Sequence, residues 1–203
     1  MPNRVNHAVS TTTITTDRRR RRSSMPYNFA CADPANLPLI FGVEAPGTPG
    51  KADSPYAAQE PASIPSKVVD DWVAFLKGCG IKRTVCLLKS AELACYQEPG
   101  YAGGCQSAGL NPTCIDIFSD GAAAKLFAAL DAAETADEKV AVHCSGGEGR
   151  TGLLLGSWLV HSKGMAAEDA AATVLAAAKE AGVARKCTPH KLDAFIKDGK
   201  ATP

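Results

Sequence analysis

The chain has 203 residues, 45% of them hydrophobic and 21% charged, with a formal net charge of +1 at neutral pH. That length and balance suit one α/β domain with a tail, and the absence of an uninterrupted apolar run of about 18 residues excludes a membrane-spanning helix. Residues 1–24 hold six arginines against one aspartate, a local charge of +5 that leaves residues 25–203 at −4, so the body lacks the basic stripe of a nucleic-acid binder.

The first 24 residues, rich in Ser, Thr and Arg and without apolar periodicity, are expected to form a disordered basic tail. Their composition is that of an organelle transit peptide, while Arg18 to Arg22 form a candidate nuclear signal. No apolar stretch suited to secretion is present, so the protein is expected inside the cell, in the cytoplasm unless the tail addresses it elsewhere. Residues 25–65 are proline-rich. Within them 37–43 reads as a strand, placed at a sheet edge because Pro38 interrupts it. Gly47-Thr48-Pro49-Gly50-Lys51-Ala52 is not a nucleotide loop, since position 45 is not glycine and position 52 is not Ser or Thr, and it is assigned no phosphate role.

Ser66 is expected to cap a helix with Val68, Val69, Trp72, Val73 and Leu76 on its apolar face, stopped by Gly78 and Gly80. A strand over 84–88, a short helix over 90–97 and a glycine-rich surface loop over 98–111 follow. The pattern continues with a strand over 114–118, a helix over 122–132 and a strand over 140–142. A helix over 153–160, an Ala-rich helix over 167–181 and a last helix opened by Thr188-Pro189 are read as packing helices. The alternation predicts an α/β fold over residues 66–198, with a central, mainly parallel sheet of about four or five strands flanked by helices and joined by right-handed crossovers.

The most informative stretch lies between the strand 140–142 and the helix after it: His143-Cys144-Ser145-Gly146-Gly147-Glu148-Gly149-Arg150-Thr151-Gly152. Unpaired backbone N–H groups at a helix start, together with the helix dipole, attract an anion, and the glycines let the main chain curl around it. Arg150 is the expected clamp, because its planar fork meets two phosphate oxygens at once. The same groups favour the thiolate form of Cys144, the expected nucleophile. Thr151 is placed to donate a hydrogen bond to that sulfur. Ser145, Gly146, Gly147, Glu148 and Gly149 complete the phosphate loop. His143 is assigned a structural role, since neighbouring strand residues point to opposite faces. The position beyond the carboxyl end of a strand agrees with where ligands bind in open α/β sheets.

The pattern Val-His-Cys-x-x-Gly-x-Gly-Arg-Thr-Gly resembles the signature loop of the cysteine-dependent protein tyrosine phosphatases, in particular the small dual-specificity type. The resemblance covers roughly residues 64–198. It implies a protein tyrosine phosphatase-like fold and a metal-independent hydrolysis of phosphomonoesters through a phosphocysteine intermediate, with no cofactor. It also implies an upstream aspartate that protonates the leaving oxygen and then activates water. Asp120, followed by Gly121 as in several dual-specificity members, is preferred to Asp116, and Asp120 is equally suited to cap the helix that follows. A glutamine often found at the start of the last helix in that family is replaced by Lys191.

Glu148 and the absence of lysine inside the loop point toward phosphoprotein substrates, carrying phosphotyrosine, phosphoserine or phosphothreonine, ahead of phosphoinositides or inositol phosphates. A binding module without turnover and a rhodanese-type sulfurtransferase are the remaining readings. The eight cysteines include no Cys-x-x-Cys pair, and zinc spacing is lacking. Cys86 is expected to be a core thiol, or, as the resemblance implies, the partner of Cys144 in a protective disulfide.

Overall fold

The computed structural model describes residues 26–202. The expected basic tail over residues 1–24 lies outside them. After a turn at Pro26–Asn28, the elements are β1 (Ala30–Asp33), β2 (Leu37–Glu44), α1 (Ser66–Gly78), β3 (Ile81–Cys86), α2 (Ser90–Leu93), α3 (Gly100–Ser107) and β4 (Asn111–Cys114). They continue with α4 (Ala122–Thr135), β5 (Lys139–Cys144), α5 (Gly149–Lys163), α6 (Ala167–Glu180) and α7 (Pro189–Asp198).

One five-stranded sheet runs in the order β1-β2-β5-β3-β4. β2, β5, β3 and β4 are parallel, and β1 joins β2 antiparallel. Helices cover both faces, which is why β5 reads as a continuous apolar run instead of an alternating one. Val140, Val142 and Cys144 face the core beneath α4 to α7, with Leu126, Leu154, Trp158 and Phe195. Ala141 faces the opposite core, with Trp72, Leu76, Tyr101 and Cys105 from α1 and α3. α1 buries Val69, Trp72, Val73 and Leu76, each contributing about 1.5–3 kcal/mol of transfer free energy. Among the described residues, no helix is long and apolar enough to cross a membrane.

Four local expectations are corrected. The strand expected over 114–118 lies earlier, as β4, and residues 115–118 form irregular structure and a turn. β2 is an inner strand, because its pairing with β5 begins at Ile40, two residues after the exposed Pro38, so the missing N–H of proline removes nothing from the ladder. The proline rule holds instead at β4, where Pro112 stands opposite Thr84 on the true edge of the sheet. Residues 98–111 are not a surface loop. They contain α3, with Tyr101, Gly104 and Cys105 buried, and a Cβ on Gly104 would come within 2.9 Å of Val69 Cγ1. Glycine serves there to bring α1 and α3 close together, a use that composition alone does not distinguish from loop flexibility. Finally, Pro65, not Ser66, occupies the N-cap of α1.

Candidate active site

β5 delivers Cys144 to the carboxyl end of the sheet, and α5 starts five residues later at Gly149. The intervening loop curls tightly under β2. Gly147 has φ of +68°, and a Cβ there would lie 2.5 Å from the Val43 carbonyl oxygen, so both the backbone conformation and the space require glycine. Cys144 is 4% exposed. Thr151, fully buried on the first turn of α5, donates a hydrogen bond to Cys144 Sγ at 3.3 Å.

Arg150 is held by a residue that the sequence reading did not single out. Its Nη1 and Nη2 donate to the two carboxylate oxygens of Glu92, each at 2.6 Å, and Nη1 also donates to the Leu87 carbonyl at 2.9 Å. Glu92, from the single turn of α2, is 6% exposed and also accepts the Lys89 backbone N–H at 2.8 Å. A guanidinium has five N–H donors. Three are committed to Glu92 and Leu87, which leaves the Nε–H and the second Nη2–H side by side on one edge. Burial opposes the charge of Arg150, but Glu92 and Cys144 hold its pKa above the ordinary value, so it stays a cation.

Beneath the loop, His143 is fully buried. Its Nε2 lies 2.7 Å from the Tyr101 hydroxyl, which donates to Thr84 Oγ1 at 2.8 Å. Burial, joined by the charge of Arg150, pushes the His143 pKa down to about 3, so the ring is neutral and ties β5 to α3 and β3. The Ser145 hydroxyl donates to the Pro49 carbonyl at 2.5 Å, and Asn28 Nδ2 donates to the Gly146 carbonyl at 3.0 Å. Glu148 pairs with Lys186 at 3.2 Å. The lysine offsets part of the negative charge that Glu148 brings to the loop. Behind the loop, burial lowers the pKa of Arg185 to about 10 against the charges of Cys144, Glu148 and Glu44.

Three clefts meet at Arg150. One of about 340 Å³ is formed by the loop from Cys144 to Arg150 together with Lys51. A second of about 360 Å³ runs past Lys89, Glu92 and Phe118, and a third of about 320 Å³ past Leu153, Lys186 and Lys191. The mouth is therefore more basic than the loop alone suggests.

The aspartates are placed differently from the loop residues. The Asp120 side chain is 93% exposed and pairs with Lys200 at 2.6 Å. That hydrogen bond and charge lower its pKa. It does not cap α4, whose N-cap is Gly121 in the left-handed conformation. Asp116 instead accepts the Phe118 backbone N–H at 3.0 Å, holding a turn. Neither aspartate lines the three clefts, although Phe118 of the same segment lines two of them. Cys86 is a free thiol that faces the α1 and α3 side of the sheet, opposite Cys114 and His143 in register. Cys144 belongs to the core on the other side, so strand alternation keeps the two sulfurs on opposite faces and the disulfide is not formed.

No protein-family model and no curated protein matches the chain by sequence. Solved structures do match. The kinase-associated phosphatase KAP, in a form with its catalytic-site cysteine replaced by serine, superimposes with a TM-score of 0.62 at 17% identity, covering 86% of this chain and 96% of that one. The fold is that of the protein tyrosine phosphatases. Tk-PTP in its active form matches with a TM-score of 0.54 at 15% identity, over 85% of this chain and 98% of that one. Human DUSP28 matches with a TM-score of 0.51 at 17% identity, over 88% and 96%. The likeness thus extends over nearly the whole length of each of these neighbours.

Proposed function

We propose that the protein is a metal-independent, cysteine-dependent phosphomonoester hydrolase acting on phosphoproteins, with Cys144 as nucleophile and Arg150 as clamp. The observation that carries this reading is the free edge of Arg150 beside the loop that starts at Cys144. Glu92 and Leu87 engage three of its five N–H donors, and Arg150 lines the same cleft as Cys144, so the remaining pair is available to two oxygens of a phosphoryl group. In the proposed reaction Cys144 Sγ attacks phosphorus in line, an S–P bond forms, and the P–O ester bond breaks. Asp120 protonates the leaving oxygen, which requires the segment 115–121 to swing from its contact with Lys200. Water then cleaves the S–P bond and Thr151 stabilises the departing thiolate. His143 keeps a structural part.

Phosphoproteins are favoured as substrates because the clefts at Arg150 combine lysines with apolar walls from Phe118 and Leu153. Inositol polyphosphates turned over faster than phosphopeptides would reverse this order. The exposed position of Asp120 favours a second reading, a phosphate-binding module without turnover. The two are separated by assaying an aryl phosphate and a phosphopeptide panel with chelator present. Hydrolysis that is lost in Cys144→Ser and in Arg150→Ala supports the enzyme. Binding without hydrolysis by the wild type supports the module.

A further inference from the structure

The loop between Cys144 and Arg150 contains no lysine, yet a lysine reaches it from elsewhere. Residues 45–63 leave β2 and fold back over the loop, bringing Lys51 into the cleft that contains Cys144 and Arg150. The stem of Lys51 lies against Gly146, with Cδ 3.4 Å and Cε 3.6 Å from where a Cβ would stand. Its turn is built to a fixed position. Lys51 N–H donates to the Thr48 carbonyl at 3.2 Å, the Ser54 N–H to the Lys51 carbonyl at 2.9 Å, and the Ser54 hydroxyl to the Gly47 carbonyl at 2.6 Å. Ser145 of the phosphate loop itself holds the Pro49 carbonyl, and the Tyr96 hydroxyl holds that of Pro46. The position of this segment over the phosphate loop is therefore fixed by a hydrogen bond two residues from Lys51.

The ammonium group is held only by loose ion pairs. Its nearest acids are Glu44 Oε2 at 3.7 Å and Asp53 Oδ1 at 3.8 Å, distances that give charge attraction without a hydrogen bond. The side chain is 33% exposed, so it borders solvent at the cleft mouth. A phosphate monoester dianion has more oxygens than the two that the free edge of Arg150 can engage, and a cation at the mouth meets one that the loop leaves toward solvent.

We propose that Lys51 is a substrate-binding residue of this site, its ammonium passing from Glu44 and Asp53 to a non-bridging oxygen of the bound phosphoryl group. The proposal rests on the phosphoryl-binding reading above. Because the contact exists before and during the reaction, it acts on binding and leaves the chemical step unchanged.

The test uses kinetics on an aryl phosphate for wild type, Lys51→Met and Lys51→Arg. It adds calorimetric binding of tungstate, a non-reacting oxyanion, to Cys144→Ser with and without Lys51→Met. Lys51→Met is expected to raise KM and the tungstate Kd about tenfold with kcat within about twofold, and Lys51→Arg to recover most of the loss. A KM and a tungstate Kd that both stay within about twofold while wild type turns over would overturn the role of Lys51 and leave the hydrolase intact. If wild type is inert but tungstate binding depends on Lys51, the residue stands and the hydrolase fails. Absence of both turnover by the wild type and tungstate binding overturns both.

Discussion

Arg150 and Glu92 meet end-on, each Nη at 2.6 Å from its own carboxylate oxygen, with both side chains largely shielded from water. The two residues are 58 positions apart in the chain. Their contact joins the start of α5 to the short helix after β3, and it determines which edge of the guanidinium is available.

Removing one partner of a buried pair leaves the other charge uncompensated. Glu92→Gln is expected to destabilise the protein by about 3 kcal/mol and to lower kcat more than it raises KM, because Arg150 loses its orientation. Urea unfolding and steady-state kinetics check both. An unchanged unfolding midpoint would show that the pair has no structural part.

Thr151→Val keeps the volume of the side chain and deletes the 3.3 Å hydrogen bond to Cys144. The expected outcome is a steady-state rate lower by about tenfold, with a burst of alcohol release as the phosphocysteine accumulates. Rapid-quench measurements at equal substrate saturation decide it, and equal rates for both proteins would remove Thr151 from the mechanism.

His143 links pH to stability. Its folded pKa of about 3 lies below the ordinary 6.5, so the unfolded chain binds the proton more readily and stability falls as pH drops below 6.5, until the folded pKa is reached. By pH 5 this single group is expected to cost about 2 kcal/mol. Thermal unfolding of wild type at pH 7 and pH 5 should show a larger decrease than His143→Asn does. Parallel decreases would contradict the assignment.

The Lys200 contact offers a test of the acid. A general acid must be protonated, so activity falls as pH rises through its pKa. Lys200 lowers the pKa of Asp120, and Lys200→Met should therefore move that limb of kcat/KM to higher pH. Asp120→Asn should abolish the limb while Asp116→Asn leaves it in place. If Lys200→Met leaves the limb where it was, or Asp116→Asn alone removes it, Asp120 is not the acid.

The parts of this architecture that were readable without coordinates are those in which chemistry and local spacing coincide. The stretch from His143 to Gly152 runs from the end of β5 into the first turn of α5, and the structure places Cys144, Thr151 and Arg150 around one loop. Of the helices after it, α6 ends within a residue of its expected bounds and α7 opens at Pro189 as read, while α5 is longer than expected at both ends. Misreadings arose where one residue type serves two purposes. Glycine in α3 permits close packing as well as turning, and proline in β2 stands before the pairing with β5 begins. Glu92 carried a weak signal, an acid three residues after Lys89 at a short helix start, but nothing local pointed it toward Arg150.

From the sequence alone came the α/β alternation, the loop from Cys144 to Arg150 and the anion chemistry it supports, because a strand, a glycine-rich turn and a helix start are set by neighbours along the chain. Tertiary structure alone decided which distant side chains complete that loop. Parallel pairing of β2 with β5 carries Lys51 over it, and pairing of β3 with β5 brings Glu92 behind Arg150. It also turned Cys86 to the opposite face from Cys144 and left Asp120 in solvent beside Lys200. These relations depend on strand order and register, which are fixed by the packing of whole elements against two cores and are not encoded in the spacing of any single motif.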